Sequence, residues 1–334
     1  MQFFCRSVVF ILMLFLLSSC GQKTANLQED AVLPDKKLFE NGMNFLEKNQ
    51  FIKCRLAFQT LINTYPDSEY TPIAFLSVAD SYYEEGGPEN LLQAEAQYKD
   101  FIIFYPTHEM ADDSQMKIAA INIRLMRTPD RDQTYAIRAH QELRKLLEDY
   151  PESELSPTAA EILKEVEENR ANAIRGVGDY YFSKESYLGS ENRYKEVLRD
   201  YPNFGSMDVN LYRLGVSLER LGRIEEASVY YSRLVSDFPF SDYSKDAEEK
   251  LILLERPVPP TNLAAAEKNA SNQRVEEGFS VLGPIRGMWR MFAGREDAYS
   301  VAKRKAEERR LRGQQVFRAE IPTEEGVGRG QTSP

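Results

Sequence analysis

The sequence is poor in the residue types that enzyme and metal sites require. Its 334 residues include two histidines, three cysteines and one tryptophan. Neither His108 nor His140 has a second histidine or a cysteine at the spacing of a metal site. The glycines of "GVGDYY" follow no predicted strand, which argues against a phosphate-binding loop. We therefore expect neither catalytic residues nor a metal or cofactor, and we expect the many Asp and Glu residues to cover solvated helix faces.

The apolar run near the N-terminus is too short to span a membrane. Residues 8–17 are apolar, whereas a membrane-spanning helix needs about 20 such residues. The run follows Arg6 and ends in "LSSCG", which resembles a bacterial lipobox. This implies a signal peptide over residues 1–19, lipid on the sulfur of Cys20 and a tether over residues 20–34. Gly21 favours the periplasmic face of the outer membrane, because an aspartate there favours the inner membrane. The alternative is an uncleaved membrane anchor.

These assignments leave one cysteine in the folded part of the chain. Cys5 is removed with the signal peptide and Cys20 carries the lipid, so Cys54 has no partner for an internal disulfide. Cys54 lies on an apolar helix face, which predicts a small core residue rather than a reactive thiol.

What the sequence contains in abundance is one repeated helix ending. Five segments have apolar residues at i, i+3, i+4 and i+7, which form one face of an α-helix. Each closes with an aromatic residue and a proline, and a proline stops a helix at the residue before it. The segments are "AFQTLINTYP" (57–66), "QYKDFIIFYP" (97–106), "ELRKLLEDYP" (142–151), "RYKEVLRDYP" (193–202) and "YYSRLVSDFP" (230–239). Successive prolines are 40, 45, 51 and 37 residues apart, which indicates an array of helical repeats.

The fifth unit indicates the type of repeat. From Asp208 onward, Gly215, Ala227, Tyr231 and Pro239 fall at the spacings of the tetratricopeptide pattern. We expect the small residues where the two helices of a hairpin touch, and the tyrosine in the gap to the next hairpin. The first, second and fourth units follow this pattern, and the third follows it least well.

The repeats predict an all-α fold. Thr71-Pro72 and Ser156-Pro157 are predicted helix starts, each with a capping hydroxyl before a proline. The predicted architecture is a tetratricopeptide-like α-solenoid of five helical hairpins over residues 35–255, closed by a polar capping helix at about 242–255.

The last part of the chain differs in composition. From Arg256 onward "RPVPPTNLAAAEKNASNQ" predicts a linker, and residues 256–334 are expected to be a linker and a partly disordered tail. Its segment "GFSVLGPIRGMWRMFAG", which holds Trp289, is equally consistent with a short docking motif. Of the 42 basic and 52 acidic residues, 14 and 10 lie in this part, so it carries a net charge of +4 and the rest −14. This acidic body argues against nucleic acid as a partner.

Together these features resemble the BamD family, lipoproteins of the machinery that inserts β-barrel proteins into the bacterial outer membrane. The resemblance rests on the lipobox, the five units, "YPTHE" closing the second unit and "NRYKEVLRDYP" closing the fourth. It covers residues 20–255, and the tail departs from the family.

The resemblance implies a non-enzymatic scaffold with two kinds of protein partner. The C-terminal repeats would dock on the periplasmic domains of the barrel-forming subunit, BamA, in a complex with other assembly lipoproteins. The N-terminal repeats would receive unfolded outer-membrane proteins. Arg193, which matches an arginine of the family, is the predicted docking residue, with a solvated surface charge as the alternative. The predicted substrate-peptide groove consists of Phe39, Met43, Leu46, Ser77, Ser81 and Glu84. Packing between helices is the alternative for Phe39 and Leu46.

Two other classes of tetratricopeptide lipoprotein stay open at this point. A pilus-assembly pilotin usually has regular units of 34 residues, whereas the spacings here vary from 37 to 51. A periplasmic cell-wall coordinator carries an N-terminal coiled coil, whereas these repeats begin 15 residues after Cys20.

Overall fold

The computed structural model describes residues 34–269, which form α-helices without a strand. The bounds are α1 Pro34–Glu47, α2 Phe51–Thr64, α3 Thr71–Glu85, α4 Pro88–Phe104, α5 Ala111–Leu125, α6 Thr134–Asp149, α7 Ser156–Ser183, α8 Tyr187–Asp200, α9 Met207–Arg220, α10 Ile224–Asp237 and α11 Ser244–Leu253. A short helix, α12, covers residues 263–269. Each odd-numbered helix up to α9 forms a hairpin with the next helix, which gives units 1 to 5, and α11 packs on α10. This confirms the predicted all-α solenoid.

The ends of the chain lie outside the described residues. They include the predicted signal peptide, Cys20, the tether up to residue 33 and residues 270–334. Within the described part, no helix is both long enough and apolar enough to cross a membrane.

The second helix of every unit ends just before its aromatic–proline pair. At the C-cap residue the backbone leaves the helical conformation, with φ between −129 and −133° and ψ between 55 and 63°. Its N–H still donates to the carbonyl four residues earlier, and the proline follows outside the helix because it has no N–H. These residues are Tyr65, Tyr105, Tyr150, Tyr201 and Phe238. Tyr201 is 5% exposed, which confirms that it is a core residue.

Three hairpins are held together by an aromatic ring that lies on a glycine. A Cβ atom at the glycine would come within 2.5 to 2.8 Å of the ring, so only glycine allows the two helices this close. The pairs are Gly42 with Phe58, Gly178 with Tyr194, and Gly215 with Tyr231. The ring of Tyr231 therefore lies against its own hairpin, which corrects the expectation that it fills the gap to the next one.

The predicted helix starts are correct, but the capping role of their hydroxyls is wrong. α3 begins at Thr71 and α7 at Ser156, each followed by proline, and neither has a side-chain cap. The hydroxyls instead donate to the carbonyls of Tyr65 and Tyr150 at 2.9 and 2.8 Å. They close the turn after the aromatic–proline pair and so stabilise the connection between units.

Unit 4 contains a helix of about twice the usual length. α7 has 28 residues, whereas the other helices of the five units have 14 to 17, and this explains the 51-residue spacing. The first half of α7 adds Ala159, Ile162 and Val166 to the core of unit 3. Its second half belongs to a separate core formed with α8 to α11. The first half of α7 thus covers the end of units 1 to 3, as α11 covers the end of units 4 and 5. Because α7 is one continuous helix, it joins these two parts of the array.

Residues 256–269 do not leave the repeats as the expected linker. Arg256 forms an ion pair with Glu225 at 2.6 Å. The backbone N–H of Asn262 donates to the carbonyl of Ser236 at 3.0 Å, and the side chain of Asn269 donates to the carbonyl of Asp237. We call this segment, residues 256–269, the strap, because it returns across the end of α10.

Candidate partner-binding surfaces

Successive hairpins are joined by a repeated group of an acid, a tyrosine and a base. The hydroxyl of Tyr98 on α4 donates to Asp80 on α3 at 2.5 Å, and Lys117 on α5 forms an ion pair with the same carboxylate. Burial raises the pKa of Tyr98, and the neighbouring Asp80 raises it further. Burial alone would lower the pKa of Lys117, but the charge of Asp80 outweighs it and the pKa is raised.

The same group of an acid, a tyrosine and a base occurs in units 4 and 5, where the tyrosine again lies on the second helix of the hairpin. In one, Tyr194 donates to Asp179 at 2.7 Å, and Arg213 of the next unit binds that carboxylate at 2.5 Å. In the other, the acid is Glu219, which Tyr231 and Lys250 both contact at 2.9 Å. These groups satisfy buried hydroxyls and fix the angle between units, so the surfaces on the units are held in place.

Most of the predicted groove residues are buried, which corrects the groove. Phe39 stacks on Tyr70 with ring centroids 4.7 Å apart. The hydroxyl of Ser77 lies 3.7 Å from the sulfur of Met43. These residues belong to the interior of units 1 and 2, so a peptide does not reach them in this conformation. The buried residues of the predicted groove are Phe39, Met43, Ser77 and Ser81.

Two of the six groove residues stay accessible. Leu46, near the end of α1, is half-buried, and Glu84, near the end of α3, is exposed. Beside them Arg55 of α2 forms an ion pair with Glu85 at 2.7 Å and lies over the ring of Tyr82 at 4.2 Å. The accessible surface here is therefore the ends of α1 and α3, where apolar and charged groups alternate.

Arg193 projects from α8 as predicted. Its side chain is 45% exposed and pairs with Glu196, one turn further along the helix, at 2.6 Å. Such an exposed pair on one helix contributes little to folding and is easily exchanged for another partner. A Cβ atom built at Gly178 would lie 3.2 Å from the Cβ of Arg193, so Arg193 borders the second half of α7.

An exposed apolar patch lies next to Arg193 and was not predicted from the sequence. We call it the unit-4 patch, and it consists of Val177, Tyr180, Tyr181 and Leu188, of which Tyr180 and Leu188 are each 61% exposed. The ring of Tyr181 lies against Gly189, one helical turn before Arg193 on α8. The patch therefore borders Arg193, the predicted docking residue.

The sequence does contain a signal for the unit-4 patch. Val177, Tyr180 and Tyr181 fall at i, i+3 and i+4 of α7, so they share one face. The fourth unit matches the tetratricopeptide pattern with Gly178, Tyr181, Tyr194 and Pro202, so the pattern predicts that Tyr181 packs inside the hairpin and does not reveal the exposed face. Only the structure shows that the hairpin turn leaves the side of Val177 and Tyr180 uncovered.

Both histidines and Cys54 take part in structural contacts within the described residues. Between residues 34 and 269 there is no group of three His, Cys, Asp or Glu side chains that could hold a metal ion. His108 accepts a hydrogen bond from the N–H of Met110, and His140 lies 3.3 Å from Glu167. Burial raises the pKa of Cys54 to about 12, so its thiol is protonated and serves as core.

Helical hairpins that are joined by aromatic–proline turns and stacked in an array define a tetratricopeptide-type solenoid. Within that class the chain belongs to the YfiO family, described as "Outer membrane lipoprotein", whose sequence profile matches residues 32–229. The resemblance to the BamD lipoproteins is thereby confirmed at the level of the family.

Several relatives carry the name outer membrane protein assembly factor BamD. The one from Rickettsia prowazekii (strain Madrid E) is 24% identical over 231 residues, which cover 67% of this chain and 88% of the relative. The one from Neisseria meningitidis serogroup A is 22% identical over 245 residues, or 68% and 89% of the two chains. A solved structure, the TPR2AB-domain:pHSP90-complex of yeast Sti1, covers 80% of this chain and 95% of that one at 16% identity. Its TM-score of 0.32 is too low to support an argument.

Proposed function

We propose that this protein is a non-enzymatic scaffold of the β-barrel assembly machinery, anchored by lipid on Cys20 at the periplasmic face of the outer membrane. It binds the periplasmic domains of a BamA-like barrel-forming subunit, in a complex with other assembly lipoproteins. It also receives unfolded outer-membrane proteins for insertion. The observation that carries the proposal is the exposed unit-4 patch beside Arg193 in a chain that belongs to this family.

The unit-4 patch has the composition of an interface core. Tyrosine and arginine are enriched where protein interfaces derive most of their energy, and a flat apolar area bordered by charge suits a folded partner. Lys184 lies 5.9 Å from the ring of Tyr180 and, with Arg193, borders the patch by positive charge. The partner surface should therefore combine an apolar patch with a carboxylate that replaces Glu196 on Arg193.

The test of docking uses a matched pair of charge reversals. Arg193→Glu should weaken binding of the purified periplasmic domains about tenfold or more, since a like charge then faces the carboxylate of the partner. Tyr180→Ser should weaken it by a similar factor. The control is Arg144→Glu, because Arg144 is an exposed arginine on α6 whose ion pair with Glu148 is of the same kind. Equal affinities for Arg193→Glu, Arg144→Glu and the unaltered protein would refute this docking surface.

The substrate side of the proposal rests on units 1 and 2. Unfolded chains are expected to contact Leu46 and Glu84, which remain accessible, rather than the four buried groove residues. A photo-activatable residue at position 46 should cross-link to an unfolded barrel protein during its assembly. The same residue at exposed Glu152, beyond unit 3, should not. Equal cross-linking at both positions would place substrate elsewhere.

The anchoring proposal is tested separately. Cys20→Ala should release the protein from the outer-membrane fraction, and the mature unaltered protein should begin with a lipid-modified Cys20. A mature chain that still begins with Met1 would rule out the lipoprotein assignment and support an uncleaved anchor. Co-purification of pilus or cell-wall components instead of a barrel-forming subunit would support the alternative tetratricopeptide scaffolds.

A further inference from the structure

The strap ends beside a cavity at the joint between the two parts of the array. The cavity has a volume of about 260 Å³ and lies between α7, the turn after α8 and the strap. Tyr201 and Phe204 contribute aromatic surface, Glu167 and Glu168 of α7 contribute carboxylates, and Lys164 of α7 and Lys268 of the strap contribute ammonium groups. The described chain thus ends at the rim of the cavity.

The strap fixes this exit point firmly. Asn262 caps α12 by accepting a hydrogen bond from the N–H of Ala265, and its own N–H is held by Ser236. Ala266 is buried, and Asn269 is tied to the end of α10. The described part of the chain therefore ends at a defined position next to α7.

The first half of α7 carries a row of glutamates that leads away from the cavity. Glu161, Glu165 and Glu168 fall at i, i+4 and i+7, so they form one stripe along the first half of the helix, which we call the α7 stripe. Lys164 lies within this stripe, and Glu168 is buried and accepts the N–H of Gly205. Glu161 and Glu165 take part in no ion pair within residues 34–269. Burial raises the pKa of Glu165, and the charge of Glu161 raises it further, so a cation placed between them would be stabilised.

One segment of this chain has the complementary chemistry. Residues 279–292, "FSVLGPIRGMWRMF", hold eight apolar side chains and two arginines, Arg286 and Arg290, without an acidic residue. They lie outside the described residues. Nine residues separate this segment from Asn269, which is enough chain to reach roughly 30 Å. The α7 stripe is about 10 Å long from Glu161 to Glu168, so the whole stripe is within reach of the segment.

We propose that residues 279–292 dock in cis on the α7 stripe, with their arginines between its carboxylates and an aromatic side chain in the cavity beside Tyr201 and Phe204. The cavity is about the size of one large aromatic side chain, and the cis arrangement follows from the exit of the strap at its rim. The docked segment would bridge the first half of α7, which closes units 1 to 3, and the turn after α8, which belongs to unit 4. It would therefore hold the two parts of the array, and the surfaces they carry, in one orientation.

The test uses Trp289, the single tryptophan of the chain, as its own probe. In the full mature chain, Trp289 fluorescence should be blue-shifted and shielded from acrylamide, relative to the same chain in urea. Glu161→Lys with Glu165→Lys should abolish the shielding, and so should Arg286→Glu with Arg290→Glu. Combining the two pairs should restore it. The control is Glu40→Lys with Glu47→Lys, which changes two exposed acids of α1 by the same charge.

Several outcomes would overturn the proposal. Trp289 could be as accessible to acrylamide in the native chain as in urea, or its shielding could survive both charge-reversal pairs. Shielding that is lost on dilution would place the segment on a second copy rather than in cis. The pair Arg286→Glu and Arg290→Glu keeps the experiment decisive if the α7 variant fails to fold, since these residues lie beyond the repeats.

Discussion

Replacing Gly215 by alanine should destabilise the protein, although alanine is the better helix former. The added Cβ would lie 2.5, 2.8 and 2.9 Å from three ring atoms of Tyr231, whereas carbon atoms in ordinary contact are about 3.5–4.0 Å apart. The ring is fully buried and its hydroxyl is held by Glu219, so it has little room to retreat. Gly215→Ala therefore tests the packing on which the repeat pattern depends.

The magnitude follows from two opposing effects. Overpacking in a filled core costs about 3 kcal/mol when a fixed group must move. Removing a glycine from a helix interior stabilises by about 1 kcal/mol. The net expectation for Gly215→Ala is a loss of about 2 kcal/mol in the free energy of unfolding.

Gly176 provides the matched control in another helix. It lies exposed within α7, and a Cβ built there would meet nothing within 4 Å. Gly176→Ala should therefore stabilise the protein by about 1 kcal/mol. Urea unfolding of the mature chain, followed by far-ultraviolet circular dichroism, should show midpoint shifts of opposite sign for the two variants. A shift of the same sign and size would refute the argument that the ring excludes a Cβ at Gly215.

Three further predictions concern the core. Tyr201→Ala should lower the free energy of unfolding by about 3–5 kcal/mol in urea titrations, as large-to-small aromatic changes do, and a loss below about 1 kcal/mol would exclude a core role. Tyr98 and Lys117 have higher pKa values in the folded protein than in the unfolded chain. Their contribution to the free energy of unfolding is therefore complete below the unfolded pKa values, and it is lost as pH rises through the folded pKa values. Stability should thus fall above about pH 10, and Tyr98→Phe should weaken that dependence; an unchanged pH dependence in this variant would contradict the assignment. Cys54, with its pKa raised to about 12, should resist thiol reagents in the native chain and react only after unfolding, whereas rapid native reaction would contradict its burial.

The sequence predicts the parts of the fold that depend on local pattern. The aromatic–proline endings mark the ends of α2, α4, α6, α8 and α10, because proline cannot continue a helix. The small residues where the two helices of a hairpin touch also follow from sequence, because their spacing is that of a known repeat, whereas the position of the Tyr231 ring on Gly215 does not. Cys54 is correctly placed in the core for the same reason.

Features that depend on contacts between distant residues escape sequence analysis. α7 continues through its middle, where a regular unit would begin a new helix, and no proline or glycine marks this point. Near that point Glu168 accepts the N–H of Gly205, 37 residues away, a contact without a local pattern. The groove prediction fails for a related reason. Small or polar residues such as Ser77 and Ser81 are compatible with both a groove and a tight helix contact, and only packing decides between them.

The central claim is that unit 4 holds the barrel-forming subunit of an outer-membrane assembly machinery. The most direct measurement is co-purification of the full lipidated protein from gently solubilised membranes, with the bound proteins identified by mass spectrometry. We predict that a β-barrel membrane protein with periplasmic domains is recovered with the unaltered protein and with Arg144→Glu, and is lost with Arg193→Glu. Recovery of that protein in equal amounts from all three, or its absence from all three, would contradict the account.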